Sequence, residues 1–188
     1  MNEIEFVSLP DRETERVGVV DPRMLAMRID GVDLRWRLAA ATWSLWRREW
    51  EEEGEFDGED PEEVEAELRE YVLGRGHPLP EDEVGWPSRH FLGEWHGWPG
   101  ATMRTGERLD LAGYGDTWGV PVLGCDCGIW ECFPLCVRIE VGLETVTWRD
   151  FRYPTRSSWG ALPMGPFRAD RAAYERSLRS PERLSTQQ

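Results

Sequence analysis

Apolar residues recur along this chain at two spacings, and each change of spacing marks a new element. Ile4 to Leu9 and Arg16 to Val20 read as short strands, with Pro10-Asp11 as the turn between them. Met24 to Ile29 is a third strand. It ends at Asp30-Gly31, whose residues tolerate the positive φ of a tight turn. The spacing then becomes helical. Asp33 is placed to cap a helix running to Glu53, with Leu34, Leu38, Ala41 and Leu45 on one stripe and Trp43, Trp46 and Trp50 widening it.

Gly54 to Gly58 interrupts that helix, and the next is the best-signalled element of the chain. Asp60 stands at the N-cap, Pro61 at the first helical position, and Glu63 three residues after the cap completes a capping box. Val64, Leu68, Tyr71 and Val72 form its apolar face, and Gly74 is placed to stop it. From Gly74 to Gly119 the chain is rich in Gly, Pro, Trp and His and has only weak periodicity. Val137, Ile139 and Val141 then alternate, Gly142-Leu143-Glu144 turns, and Val146, Trp148 and Phe151 return, which predicts a hairpin. Asp170 caps a last helix, Arg171 to Arg179, with Ala173, Tyr174 and Leu178 inward; residues 181–188 are a polar tail expected to fray.

These elements predict an α+β fold: one antiparallel sheet, built from the amino-terminal strands and the Val137–Phe151 hairpin, packed by about three helices. Residues 1–180 form a single domain, in which 51–60 is an acidic connector and 74–119 a long Gly/Pro/Trp/His-rich region. No internal repeat is found. A chain of 188 residues can bury roughly 70% of its unfolded surface and needs no cross-links to fold. Its 11 tryptophans supply large burial per residue, so 31% charged residues do not imply disorder.

The first residues are acidic and polar, without the basic and apolar regions of a secretory signal. The longest near-apolar stretch, Leu38 to Trp46, is about half of the roughly 20 residues a membrane span needs. Four cysteines in such a chain point to a reducing compartment, so the expected location is cytoplasmic, with no membrane partner.

Charge changes the picture locally. Glu51 to Glu70 holds twelve acids against one base, −11 of the net −14, and the remaining 168 residues sum to only −3. Direct nucleic-acid binding wants a positive surplus to displace counterions, and the chain has none to offer. All 22 basic residues are arginine. Without lysine there is no P-loop, no Schiff-base or pyridoxal chemistry and no kinase chemistry of the familiar kind.

The strongest local feature is the run Gly124-Cys125-Asp126-Cys127-Gly128-Ile129-Trp130-Glu131-Cys132-Phe133-Pro134-Leu135-Cys136. Four thiolates within twelve residues can close a tetrahedral zinc site, and the two glycines let the backbone fold around an ion. Cys125, Cys127, Cys132 and Cys136 are therefore the candidate metal ligands and zinc the candidate cofactor. The spacing is not that of two separated Cys-x-x-Cys pairs, and Pro134 stiffens the path between Cys132 and Cys136. The alternative is that small apolar thiols fill a tight turn under the sheet.

His77, His90 and His96 are the only histidines. His90, with Arg89 between apolar neighbours, is the candidate base for a nucleophilic Cys127; the plainer reading is a hydrogen-bonded structural histidine. Trp86, Trp95, Trp98, Trp118 and Trp130 could stack on a ligand or fill a core short of aliphatics. Gly113 to Gly119 lacks the glycine spacing and the following helix of a nucleotide loop. The acidic run does not match a calcium loop; it reads as a solvated helix face, or as a docking surface in which Glu62, Glu63, Glu67 and Glu70 receive a basic protein.

Across Gly124-Cys125-Asp126-Cys127-Gly128 and Cys132-Phe133-Pro134-Leu135 the chain resembles a family of small bacterial proteins of unknown function with a Gly-Cys-x-Cys-Gly-x-x-x-Cys motif. The resemblance continues through Ile29 to Leu34, Ser88 to Gly93, Val146 to Phe151, Gly165-Pro166-Phe167 and the Tyr174 helix. It implies three cysteines, at Cys125, Cys127 and Cys132, with an apolar residue at the position of Cys136. That favours three cysteines plus another group over a four-cysteine site, and it implies no activity.

Three functional expectations follow. The leading one is a binding protein whose cysteine turn is structural, with or without a metal. The second is a thiol- or metal-dependent enzyme using the cysteine cluster with His90. The third is an acidic inhibitor of a nucleic-acid-acting protein.

Overall fold

The computed structural model of the protein describes residues 1–10, 23–56, 60–81, 89–93, 119–125 and 133–184. In chain order these form β1 (Ile4–Pro10), β2 (Arg23–Ile29), β3 (Val32–Asp33), α1 (Leu34–Glu53), α2 (Pro61–Gly74), β4 (Leu79–Pro80), β5 (Val120–Leu123), β6 (Leu135–Val141), β7 (Thr145–Arg152), β8 (Phe167–Asp170), α3 (Arg171–Arg179) and β9 (Glu182–Arg183). A 3-10 turn at Arg89–Leu92 precedes β5, and a 3-10 segment at Pro154–Trp159 follows β7. The α+β class is as predicted. The strand expected at Arg16 to Val20 lies outside the described residues.

Each helix starts where a side-chain acceptor precedes an amphipathic stretch. Asp33 accepts from the Arg35 N–H at 2.8 Å, Asp60 from Glu62 N–H at 2.9 Å, and Asp170 from Ala173 N–H at 2.8 Å. Each cap satisfies one of the amide donors that a helix leaves open at its start. Gly54 ends α1 in the left-handed conformation, φ 81°, where a side chain would be strained. The α1 seam is displaced from the expected stripe. Leu34, Leu38, Thr42 and Trp46 are buried at strict i, i+4 spacing, while Ala41 and Leu45 are only partly buried beside them. Thr42 joins the seam because its hydroxyl donates to the Leu38 carbonyl at 2.9 Å. In α3, Tyr174 and Leu178 are buried but Ala173 is exposed, one position off the i, i+4 seam.

Among the described residues the strands make two sheets, not the single one expected. The first runs β3-β2-β1-β9, with β4 also pairing β2; the second runs β5-β6-β7-β8. The free edge of β1 is taken by β9, with Val7 opposite Glu182 and Ser8 opposite Arg183 in parallel register, so the hairpin cannot add there. Residues 181–188 therefore contain a paired strand where fraying was expected. The predicted hairpin is present as β6 and β7, with Val141 opposite Val146. The sheets touch where Asn2 bridges Ala169. One core serves both, including Phe6, Met27, Leu38, Trp46, Leu68, Phe91, Val137, Trp148 and Tyr174. Entry into β5 demands glycine: at Gly119, φ 94°, a Cβ would stand 2.3 Å from the Val137 carbonyl oxygen.

Candidate functional site

The cysteine turn leaves β5 through Gly124, and backbone pairing ties it to the segment after α2. Gly124 N–H donates to the His77 carbonyl at 2.8 Å and His77 N–H to the Gly124 carbonyl at 3.1 Å. His77 is thus one side of an isolated bridge. That bridge carries Arg75 toward Cys125, and Arg75 Nη1 donates to Cys125 Sγ at 3.6 Å. The Tyr153 hydroxyl in turn donates to the Arg75 carbonyl at 3.3 Å. Burial pushes the Tyr153 hydroxyl far above the usual phenol range.

Of the four cysteines, Cys125 and Cys136 are among the described residues. Cys125 is buried in the shared core. Cys136 is also buried, but it lies between Leu135 and Val137, whose side chains enter that core, so strand alternation turns it to the other face of the sheet. Burial pushes the Cys136 thiol well up from its ordinary value. Cys127 and Cys132 lie outside the described residues, as do His96, Trp86, Trp95, Trp98, Trp118 and Trp130. Among the described residues no three of His, Cys, Asp or Glu are grouped so as to hold a metal ion.

His90 sits in the 3-10 turn before β5. Its Nε2 is 2.6 Å from the Pro121 carbonyl oxygen, which can only accept, so Nε2 carries the proton. Loss of water around the ring lowers its pKa to about 4, against a smaller upward pull from the Pro121 bond. The imidazole is neutral at pH 7 and a weak base. Pro121 in turn stands opposite Cys136 in the β5–β6 register.

Glu62, Glu63, Glu67 and Glu70 are all exposed on α2, on the side away from buried Val64, Leu68 and Val72. Glu65 instead faces α1, where Arg47 Nη1 reaches its Oε1 at 2.8 Å.

Among the described residues a polar–aromatic cluster gathers that the sequence did not single out. The Trp46 ring lies edge-on to Tyr71 at 5.1 Å and Trp159 at 4.7 Å, and tilted against Phe133 at 5.6 Å. Arg75 and Arg156 lie over these rings; Arg75 is 4.0 Å from the Tyr71 centroid. Glu49 holds the far side, accepting from Arg156 Nε at 3.1 Å and from Trp159 Nε1 at 2.9 Å. These residues come from α1, α2, the Phe133 approach to β6 and the 3-10 segment after β7. The local signals were a helical tryptophan and an arginine between Gly74 and Gly76, neither of which carries chemistry alone.

Among the described residues no helix is long and apolar enough to cross a membrane. Comparison with known proteins finds no matching family model, no matching characterised protein and no matching solved structure.

Proposed function

We propose that the chain is a cytoplasmic binding protein that docks a basic protein on the outer face of α2, with the cysteine turn serving structure. One observation carries this reading. Among the described residues Glu62, Glu63, Glu67 and Glu70 take no ion pair, whereas Glu65, Glu49 and Glu51 on the inward and flanking faces are paired with Arg47 or Arg156. Four carboxylates on one exposed face, within a segment that carries −11, repel one another and gain from a partner's cations. The turn supports the structural role, since Cys125 packs in the core and Gly124 pairs with His77.

Cross-linking in extract of the native cells, with identification of the captured protein and reconstitution of the pair, tests the reading. Replacing Glu62, Glu63, Glu67 and Glu70 together by glutamine should weaken that pair by more than tenfold without lowering the melting temperature. Wild-type affinity should also fall steeply as salt shortens the screening length from about 10 Å to about 3 Å. Equal affinity of the variant, or a complex indifferent to salt, overturns it.

A further inference from the structure

Two cavities lie against α3, and Met1 and Asp170 line both. The smaller, about 260 Å³, opens between the first residues of β1 and α3, with Ile4, Ala169, Ala173 and Tyr174 as its apolar wall. The larger, about 560 Å³, opens between the β6–β7 turn and the start of α3, where Leu143 and Ala172 line it. Joined through their shared residues, they form one trough along the helix.

Its surface is unusually apolar for solvent-facing protein. Leu143 is 95% exposed and Met1 86%, two of the four large apolar side chains that stand in solvent among the described residues. Ala172 and Ala173 are exposed beside them. Exposed apolar groups gathered at a concavity mark a binding surface, whereas the same groups scattered singly would mean nothing.

The charge left on the rim is negative. Glu3, Glu5 and Glu144 line the trough and take no ion pair among the described residues. The neighbouring cations are engaged. Arg171 pairs with Glu175 at 2.7 Å and donates to the Gly142 carbonyl at 2.9 Å. The Met1 α-amino charge acts on Asp30, whose carboxyl is held low first by the Glu3 N–H and also by that charge. Asp170 turns back to cap its own helix. A metal ion does not fit, since no three such groups converge among the described residues. A second copy of this chain would bring the same carboxylates and a net charge of −14, and would be repelled. Basic side chains flanking an apolar one complement both the walls and the rim.

We propose that this trough docks a short basic peptide segment of a partner protein. An apolar side chain of the segment enters the smaller cavity, and flanking arginine or lysine side chains meet Glu3, Glu5 and Glu144. No residue of α2 lines the trough, so the proposal does not rest on the docking face there.

The test is a titration of the full chain followed by nuclear magnetic resonance of assigned backbone amides. The probes are three tripeptides with acetylated amino and amidated carboxy ends: Arg-Leu-Arg, Arg-Gly-Arg and Glu-Leu-Glu. Arg-Leu-Arg should move the Leu143, Ala172 and Ala173 amides saturably. Arg-Gly-Arg should bind about tenfold more weakly, having lost the buried leucine, and Glu-Leu-Glu should move none of the three. Ala173→Gln, which fills the smaller cavity from an exposed helical position, should weaken Arg-Leu-Arg by about tenfold as well. No saturable shift at these amides, equal affinity for Glu-Leu-Glu, or unchanged affinity in Ala173→Gln overturns the proposal. Equal affinity for Arg-Gly-Arg overturns the apolar anchor. Shifts confined to the Glu62–Glu70 amides put the peptide on α2 alone, which overturns the trough and leaves the α2 reading standing.

Discussion

Burial strips water from the His90 ring while the Pro121 carbonyl accepts its Nε2 proton, and the pH dependence of stability follows from that pair of facts. In the unfolded chain the imidazole takes up a proton near pH 6.5, whereas in the folded protein it does so only near pH 4. Between those values the unfolded state binds more protons, so stability falls as the pH falls. The separation corresponds to about 3 kcal/mol, present in full above pH 6.5 and lost by pH 4. Urea unfolding of wild type and His90→Gln at pH 7 and pH 4.5 isolates this contribution from the carboxylates. The wild type should lose more stability than the variant by roughly 2–3 kcal/mol; equal losses would show that His90 is not the group responsible. Its neighbours Arg89 and Phe91 made His90 conspicuous in the sequence, but whether an imidazole is wet or dry depends on what packs over it. Position alone could not tell a base from a buried anchor.

At the scale of elements, the three helix starts were legible because a cap is a local device, in which Asp33, Asp60 and Asp170 reach amides two or three residues onward. The faces of the helices were less legible. Ala41 and Ala173 have helical spacing and the right polarity, yet the seams run through Thr42 and Tyr174, because the neighbouring sheet selects which angular sector is covered. Tyr174 shows what docks α3. Its hydroxyl donates to the Phe91 carbonyl at 2.5 Å and accepts from Trp148 Nε1 at 3.3 Å, and its ring lies edge-on to Phe6 at 5.3 Å. Tyr174→Phe keeps the ring and removes the hydroxyl, taking the acceptor from a buried indole. A loss of about 2 kcal/mol is expected in equilibrium unfolding. A loss below a few tenths of a kcal/mol would mean that α3 is held by ring packing alone.

For the molecule as a whole, the decisive contact joins the two ends of the described chain. Arg23 donates from Nη2 to the carbonyls of Ser8 and Leu184, while Leu184 N–H donates to the Ser8 carbonyl, so β9 is tied to both β1 and β2. Removing residues 181–188 exposes this edge and takes those partners away. Stability should fall by about 1–3 kcal/mol, and amide exchange at Val7 and Ser8 should accelerate. Unchanged exchange at both positions would show that the pairing does not persist in solution.

Local chemistry in the sequence determined β1, β2, the three helices and their caps, the β6–β7 hairpin and the concentration of negative charge in residues 51–70. Each depends on residues a few positions apart, where spacing and side-chain type are sufficient physical causes. The division into two sheets, the pairing of a polar tail, the burial that neutralises His90 and the meeting of Arg75, Arg156, Glu49 and Trp46 were decided by tertiary structure. They join groups as far apart in the chain as Glu49 and Trp159. Such contacts depend on which edge is open and which face is covered once everything else has packed, and no local pattern encodes that.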